Sequence, residues 1–127
     1  MDKLQLKETE NTPEVSFDHT IGTMRLKGRS WPENTYEFYQ PLIKWIEEYK
    51  KTPRPNTIFN FELEYFNTSS SKNLLDVLNL LGELPNAGSK LIINWHHEIN
   101  DNDILSSGKI FSELVEIPFN YIPYKKQ

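Results

Sequence analysis

Apolar positions along this chain change period several times, and each change marks the edge of an element. Phe59, Phe61, Leu63 and Tyr65 alternate with Asn60, Glu62 and Glu64, which predicts a half-buried strand over Thr57–Phe66. Beyond it, Leu74, Leu75, Val77, Leu78, Leu81 and Leu84 recur at helical spacing and predict a helix over Ser69–Leu84. Upstream, Glu14–Phe17 and Thr23–Gly28 read as strands around the turn Asp18–Gly22, with Met24 and Leu26 set against Arg25 and Lys27. That pair predicts a hairpin. Leu42, Trp45, Ile46 and Tyr49 form the buried stripe of a first helix, entered through a capping box of Asn34 and Glu37. Pro41 should either begin the regular part of that helix or kink it, and Lys51-Thr52-Pro53-Arg54-Pro55 stops it.

After the break Pro85-Asn86-Ala87-Gly88, a fourth strand is expected at Leu91–Trp95 or slightly beyond. A third helix over Asp103–Leu114 would turn Ile104, Leu105, Ile110, Phe111 and Leu114 inward. A last strand at Ile117–Ile122 is interrupted by Pro118 and belongs at a sheet edge. The order is β-β-α-β-α-β-α-β, an α/β class with a mixed, mostly parallel sheet of about five strands. Alternation within the strands, rather than continuous apolar runs, predicts helices on one face and water on the other. Residues 1–12 read as a loose polar segment, 13–122 as a single domain and 123–127 as a polar tail.

Crossover connections place the loops after the second, third and fourth strands along one edge, at the carboxyl ends of the parallel strands. These loops are Arg29–Asn34, Asn67–Ser71 and His96–Asp101. The middle one holds the densest chemistry, Asn67-Thr68-Ser69-Ser70-Ser71-Lys72, at the mouth of the second helix. Unpaired N–H groups and the positive end of the helix dipole make such a mouth a seat for an anion, including a phosphoryl group. The simpler reading is that Thr68 or Ser69 caps the helix. No hydroxyl in the run has Glu or Gln three residues later, and the charge of the first turn is Lys72. A cation there opposes the bare dipole and suits an arriving anion.

Composition narrows the classes. The chain has 127 residues, 37% hydrophobic and 25% charged, which fits one globular domain rather than a disordered chain. Lys and Arg number 14 against 18 Asp and Glu, a net charge of −4 without a basic stripe, so nucleic-acid binding is not expected. Cysteine is absent, and no signal-like or membrane-length apolar run occurs, so a soluble, cytoplasmic protein is expected.

With these segments laid out, the chain resembles the SiaC-type regulatory phosphoproteins of bacteria from about Thr12 to Phe119. The resemblance rests on Thr12-Pro13-Glu14-Val15 with Phe17, on Trp31-Pro32-Glu33-Asn34 leading into Glu37-Phe38-Tyr39-Gln40-Pro41, and on Tyr65-Phe66-Asn67-Thr68-Ser69-Ser70-Ser71-Lys72. Asn94-Trp95 and Pro118-Phe119 agree as well. It implies a STAS-like domain, similar to the anti-sigma-factor antagonists, and a non-enzymatic partner switch without a cofactor. A kinase and a phosphatase would act on Thr68, with Ser69 and Ser70 as the neighbouring alternatives. Asn67, Ser69, Ser70, Ser71 and Lys72 would surround the phosphate. The unmodified form would engage a diguanylate cyclase, as in biofilm-type signalling, through Trp31, Glu33, Asn34, Phe38 and Tyr39 beside Thr68. Where many antagonists of this fold carry Asp-Ser, this chain has Asn67-Thr68, a departure from the sporulation-type sigma-factor pathway.

Two rival readings follow from the residues. A metal-dependent enzyme could use His96, His97 and Glu98 with Asp101 and Asp103, but adjacent histidines on an extended segment face opposite ways. The two aspartates are better explained as the cap and first-turn acid of the third helix. A passive binding module of the same fold would keep the hydroxyls as ordinary caps. Phosphate-handling catalysis lacks its Gly-rich loop, since Gly22, Gly28, Gly82, Gly88 and Gly108 are isolated.

Overall fold

Strand order follows chain order without a reversal, and this sets the architecture. A computed structural model describes residues 1–126. Its six strands are β1 (Leu4–Leu6), β2 (Glu14–Asp18), β3 (Thr23–Ser30), β4 (Asn56–Phe66), β5 (Lys90–Glu98) and β6 (Phe119–Tyr124). They form one sheet in the order β1-β2-β3-β4-β5-β6. β1, β2 and β3 pair antiparallel, whereas β3 to β6 pair parallel. The parallel strands are joined through α1 (Thr35–Lys51), α2 (Thr68–Leu81) and α3 (Asn102–Val115), with a short 3-10 turn at Pro85–Ala87. Right-handed crossovers that always step in one direction put all three helices on the same face. The one-sided sheet is as the alternation predicts.

The covered face holds Phe17, Met24, Leu26, Phe59, Phe61, Leu63, Ile93 and Trp95, all buried. Leu42, Ile46 and Tyr49 of α1 and Leu74, Val77, Leu78 and Leu81 of α2 complete the core. Trp95 is its hub: its indole N–H donates to the Ile104 carbonyl at 2.9 Å, and its ring lies 5.8 Å from Phe111 and 5.9 Å from Phe119. The open face carries polar rows instead. Arg25 donates to Glu62 at 2.6 Å, and an amide ladder runs from Asn120 to Asn94 to Asn60.

Several expectations are corrected. The segment over residues 1–12 contains β1, whose Leu4 and Leu6 stand opposite Phe17 and Val15, so the sheet has six strands rather than five. A three-residue strand between charged neighbours is too short to show by alternation. At the other end β6 runs through Pro123 to Tyr124, into the expected polar tail, while Pro118 lies just before it; Gln127 of that tail lies outside the described residues. β6 is an edge strand, as Pro123 within it requires.

Tyr65 is exposed and does not continue the Phe59–Leu63 stripe. Opposite Gly28 and Arg29 the register of β4 jumps from Leu63 to Tyr65, so Glu64 is an extra residue and alternation restarts out of phase. Phe66 turns inward in its place and stacks on Phe111 at 5.8 Å.

The second helix ends at Leu81, with Gly82 as its cap, three residues short of Leu84. In α3, Ile110 and Leu114 are exposed rather than inward. The buried line is Ile104, Gly108 and Phe111, at spacings of four and three. Gly108 is the residue that apolar counting passes over: a Cβ there would stand 2.5 Å from the Trp95 indole nitrogen. With Gly108 packed on the indole, Ile110 and Leu114 rotate about 80–120° away from the core. Pro41 sits inside α1, past its first turn, so it does not start the helix.

Candidate functional site: the mouth of the second helix

The last bond of the sheet before α2 joins two loops. Ser30 ends β3 and Phe66 ends β4, and the Asn67 N–H donates to the Ser30 carbonyl at 3.0 Å. Trp31 and Thr68 therefore each follow directly on a bonded pair, so the first and second loops meet as topology predicts. Asn67 then turns the chain with an extended backbone, φ −86° and ψ 176°. Its side-chain oxygen accepts from the Ser70 N–H at 2.8 Å, and its carbonyl accepts from Ser71 N–H at 2.9 Å.

Asn67 is thus the cap, which corrects the expectation that Thr68 or Ser69 serves as one. Asn sits at the cap position as readily as a hydroxyl residue, and its longer side chain reaches the third helical N–H. The consequence is chemical. Thr68 is the first helical residue, exposed, with a hydroxyl that capping does not use. Ser69 is exposed too, Ser71 is half-buried, and Lys72 is exposed one turn on from Thr68.

Ser70 is wholly buried, which removes it from the accessible hydroxyls. Its Oγ donates to the Ser30 carbonyl at 2.9 Å and lies 2.8 Å from the Ser30 Oγ. The Ser30 Oγ lies in turn 2.5 Å from the Tyr39 hydroxyl. Tyr39 is also wholly buried, so it is a core residue and not a partner contact, a second correction. Burial pushes the Tyr39 phenol up to about 12, partly offset by its hydrogen bond with Ser30 and by the nearby Ser70 hydroxyl.

The other predicted contacts remain at the surface. Trp31 is 40% exposed, and its backbone N–H is held by the Asn11 carbonyl at 2.9 Å. Glu33 and Asn34 are exposed, and Asn34 caps α1 by accepting from the Glu37 N–H at 3.0 Å. Phe38 is half-buried, edge-on to Tyr39 with centroids 5.0 Å apart. Three exposed apolar residues on this edge escaped the sequence reading: Tyr36, Tyr65 and Ile99. Tyr65 was hidden by the bulge; Tyr36 lies in the first turn of α1, off its buried stripe, and Ile99 follows Glu98 in the third loop, where exposure is the default.

β5 runs on through His96, His97 and Glu98, which shortens the expected third loop, and neither the strand end nor the loop forms a metal site. His96 faces the open side, with Nε2 3.1 Å from the Asn60 side-chain oxygen, and burial lowers its pKa. His97 is buried, with Nδ1 against the Glu98 carbonyl. Asp101 caps α3 by accepting from the Ile104 N–H at 3.0 Å. Among the described residues no group of three or more His, Cys, Asp or Glu could hold a metal ion, and no helix is long and apolar enough to cross a membrane. A cavity of about 280 Å³ on the open face is lined by Glu8, Lys27, Glu62, Glu64, His96 and Tyr124, apart from the helix mouth. Burial, then the carboxylates of Glu64, Glu98, Asp101 and Glu62, raise the Tyr124 pKa.

Comparison with known proteins converges on one group. Residues 6–124 match the SiaC family of regulatory phosphoproteins. A protein of Pseudomonas aeruginosa (strain UCBPP-PA14) without an assigned role is 30% identical over 119 residues, covering 94% of either chain. The crystal structure of apo-SiaC from Pseudomonas aeruginosa superposes with a TM-score of 0.86 at 30% identity, over 96% of this chain and 99% of that one. A chain in the crystal structure of the diguanylate cyclase SiaD with its activator SiaC, from the same organism, gives 0.88 at 29% identity, over 95% and 99%.

Proposed function

This chain belongs to the SiaC family of regulatory phosphoproteins, and from that premise we propose that it is a partner switch controlled by phosphorylation of Thr68. Its effector is a diguanylate cyclase, by analogy with the SiaD–SiaC complex. It acts by docking rather than by catalysis, and a kinase and a phosphatase set its state. One observation carries the choice of residue. Thr68 is exposed at the first position of α2 while Asn67 does the capping, so its hydroxyl is free to be modified without unmaking the helix.

The mechanism is electrostatic. Phosphorylation adds about −1.5 to −2 charges and strong acceptor oxygens. The helix start and Lys72 can hold them, since an anion at this end is favoured by about 0.3–1 kcal/mol or more. An effector closing over Trp31, Glu33 and Asn34 would have to desolvate that group, at a cost of several kcal/mol. Each 1.4 kcal/mol is roughly tenfold in affinity, so one phosphate is enough to release a micromolar partner. Intact-mass measurement of the chain from its own cells should find a phosphate-mass species that phosphatase removes and Thr68→Ala lacks. A phosphate that persists in Thr68→Ala would move the switch to another hydroxyl, and its lasting absence would leave a passive binding module. Thr68→Ala protein used as bait should retain a diguanylate cyclase.

A further inference from the structure

Three buried hydroxyls beneath the helix mouth have only one consistent arrangement of protons. The Ser30 carbonyl can only accept, so the Ser70 proton points to it across 2.9 Å. The Ser30 Oγ must then donate to the Ser70 Oγ across 2.8 Å, and Tyr39 must donate to the Ser30 Oγ across 2.5 Å. The chain runs one way, Tyr39 to Ser30 to Ser70 to the Ser30 carbonyl. Reversing any link breaks a bond inside a site closed to water.

That carbonyl is shared. It accepts from the Ser70 Oγ and from the Asn67 N–H, the two anchors of the α2 mouth on either side of Thr68. The same peptide unit presents the Trp31 N–H, which donates to Asn11. A peptide unit is planar and resists twisting, so a displacement felt at its oxygen is passed to its nitrogen. We infer that the Tyr39–Ser30–Ser70 chain is a coupling device that transmits a change at Thr68 through the Ser30–Trp31 peptide to the Trp31–Asn34 loop. Ser70 is a positioning residue in this device. A phosphate drawing on the first-turn N–H groups competes with the Asn67 side chain for the Ser70 N–H, and so pulls on both anchors.

The inference takes Thr68 as the modified residue but needs no effector, so the two readings fail separately. A lack of effector binding leaves the coupling intact, and a lack of coupling leaves a purely steric and electrostatic switch. The test is amide NMR on the free chain with phosphothreonine installed at position 68. The Trp31 and Glu33 amide signals should shift on phosphorylation in the otherwise natural chain. In Ser70→Ala that shift should fall by at least half, and in Tyr39→Phe by a smaller amount. Thr57→Val serves as the control, because it removes a hydroxyl from the buried set Tyr49, Thr57 and Ser89 elsewhere in the core. It should leave the Trp31 shift unchanged. If Ser70→Ala does not fold, Tyr39→Phe, which keeps two of the three bonds, reads the same quantity. An unshifted Trp31 amide in the phosphorylated natural chain would overturn the inference. So would an undiminished shift in a folded Ser70→Ala chain.

Discussion

The two ends of the parallel sheet are built from the same parts, yet only the carboxyl end sets exposed hydroxyls at a helix start. At the carboxyl end, Tyr39 of α1 meets Ser30 and Ser70. At the amino end, Tyr49 of α1 meets Thr57 at 2.8 Å, and Thr57 meets Ser89 at 2.6 Å. Both sets are buried, both stitch α1 to the sheet, and both satisfy polar groups that would otherwise be costly. The difference lies in what they support. Beneath the carboxyl end a carbonyl fixes the direction of the chain, and above it α2 opens with exposed Thr68 and Ser69. At the amino end the phenol oxygen of Tyr49 also accepts from the Arg54 N–H, Pro53 and Pro55 lead in, and no long helix begins. A buried hydroxyl set is therefore a structural device in this fold. It becomes part of a switch only where a helix start and a docking edge stand on it.

The largest contrast should appear at high pH. Tyr39 has its folded pKa raised from 10.0 to about 12, so the fold favours the neutral phenol. Its contribution is complete below pH 10 and is lost as pH rises through about 12, a loss of roughly 3 kcal/mol. Urea unfolding of natural chain and Tyr39→Phe across that range should show the steeper decline only in the former.

Truncation should then treat the two ends alike in stability and differently in function. Ser30→Ala and Thr57→Ala should each cost about 1–3 kcal/mol by denaturant melts, because each strands a buried partner. Only Ser30→Ala should also weaken effector binding. Trp31→Ala should do the reverse. The side chain is 40% exposed and its fixed contact is through the backbone, so stability should change by less than about 0.5 kcal/mol, while effector affinity falls by about 2 kcal/mol in calorimetry. The smallest effect belongs to Lys72→Ala. Thermal melts should show the unmodified chain gaining a few tenths of a kcal/mol and the phosphorylated chain losing a similar amount.

Much of this was legible in the chain itself, for physical reasons. Long alternations and helical stripes, such as Phe59–Leu63 and Leu74–Leu81, leave little freedom in element type, and the wet face of the alternating strands leaves one face for the helices. The shared edge of Trp31 and Thr68 came from the crossover topology. What stayed hidden depended on contacts between distant residues. Glu64 as an inserted residue is visible only against β3, and Gly108 as a core position only against Trp95. Ser70 and Tyr39 looked like surface candidates because hydroxyls and aromatics near a loop suit both roles. Their burial depends on Ser30, forty and nine residues away along the chain.

Titration calorimetry of the unmodified and the Thr68-phosphorylated chain against the diguanylate cyclase captured with Thr68→Ala tests the central claim most directly. The account predicts binding by the unmodified form and at least tenfold weaker binding by the phosphorylated one. Equal affinities for the two forms would contradict it.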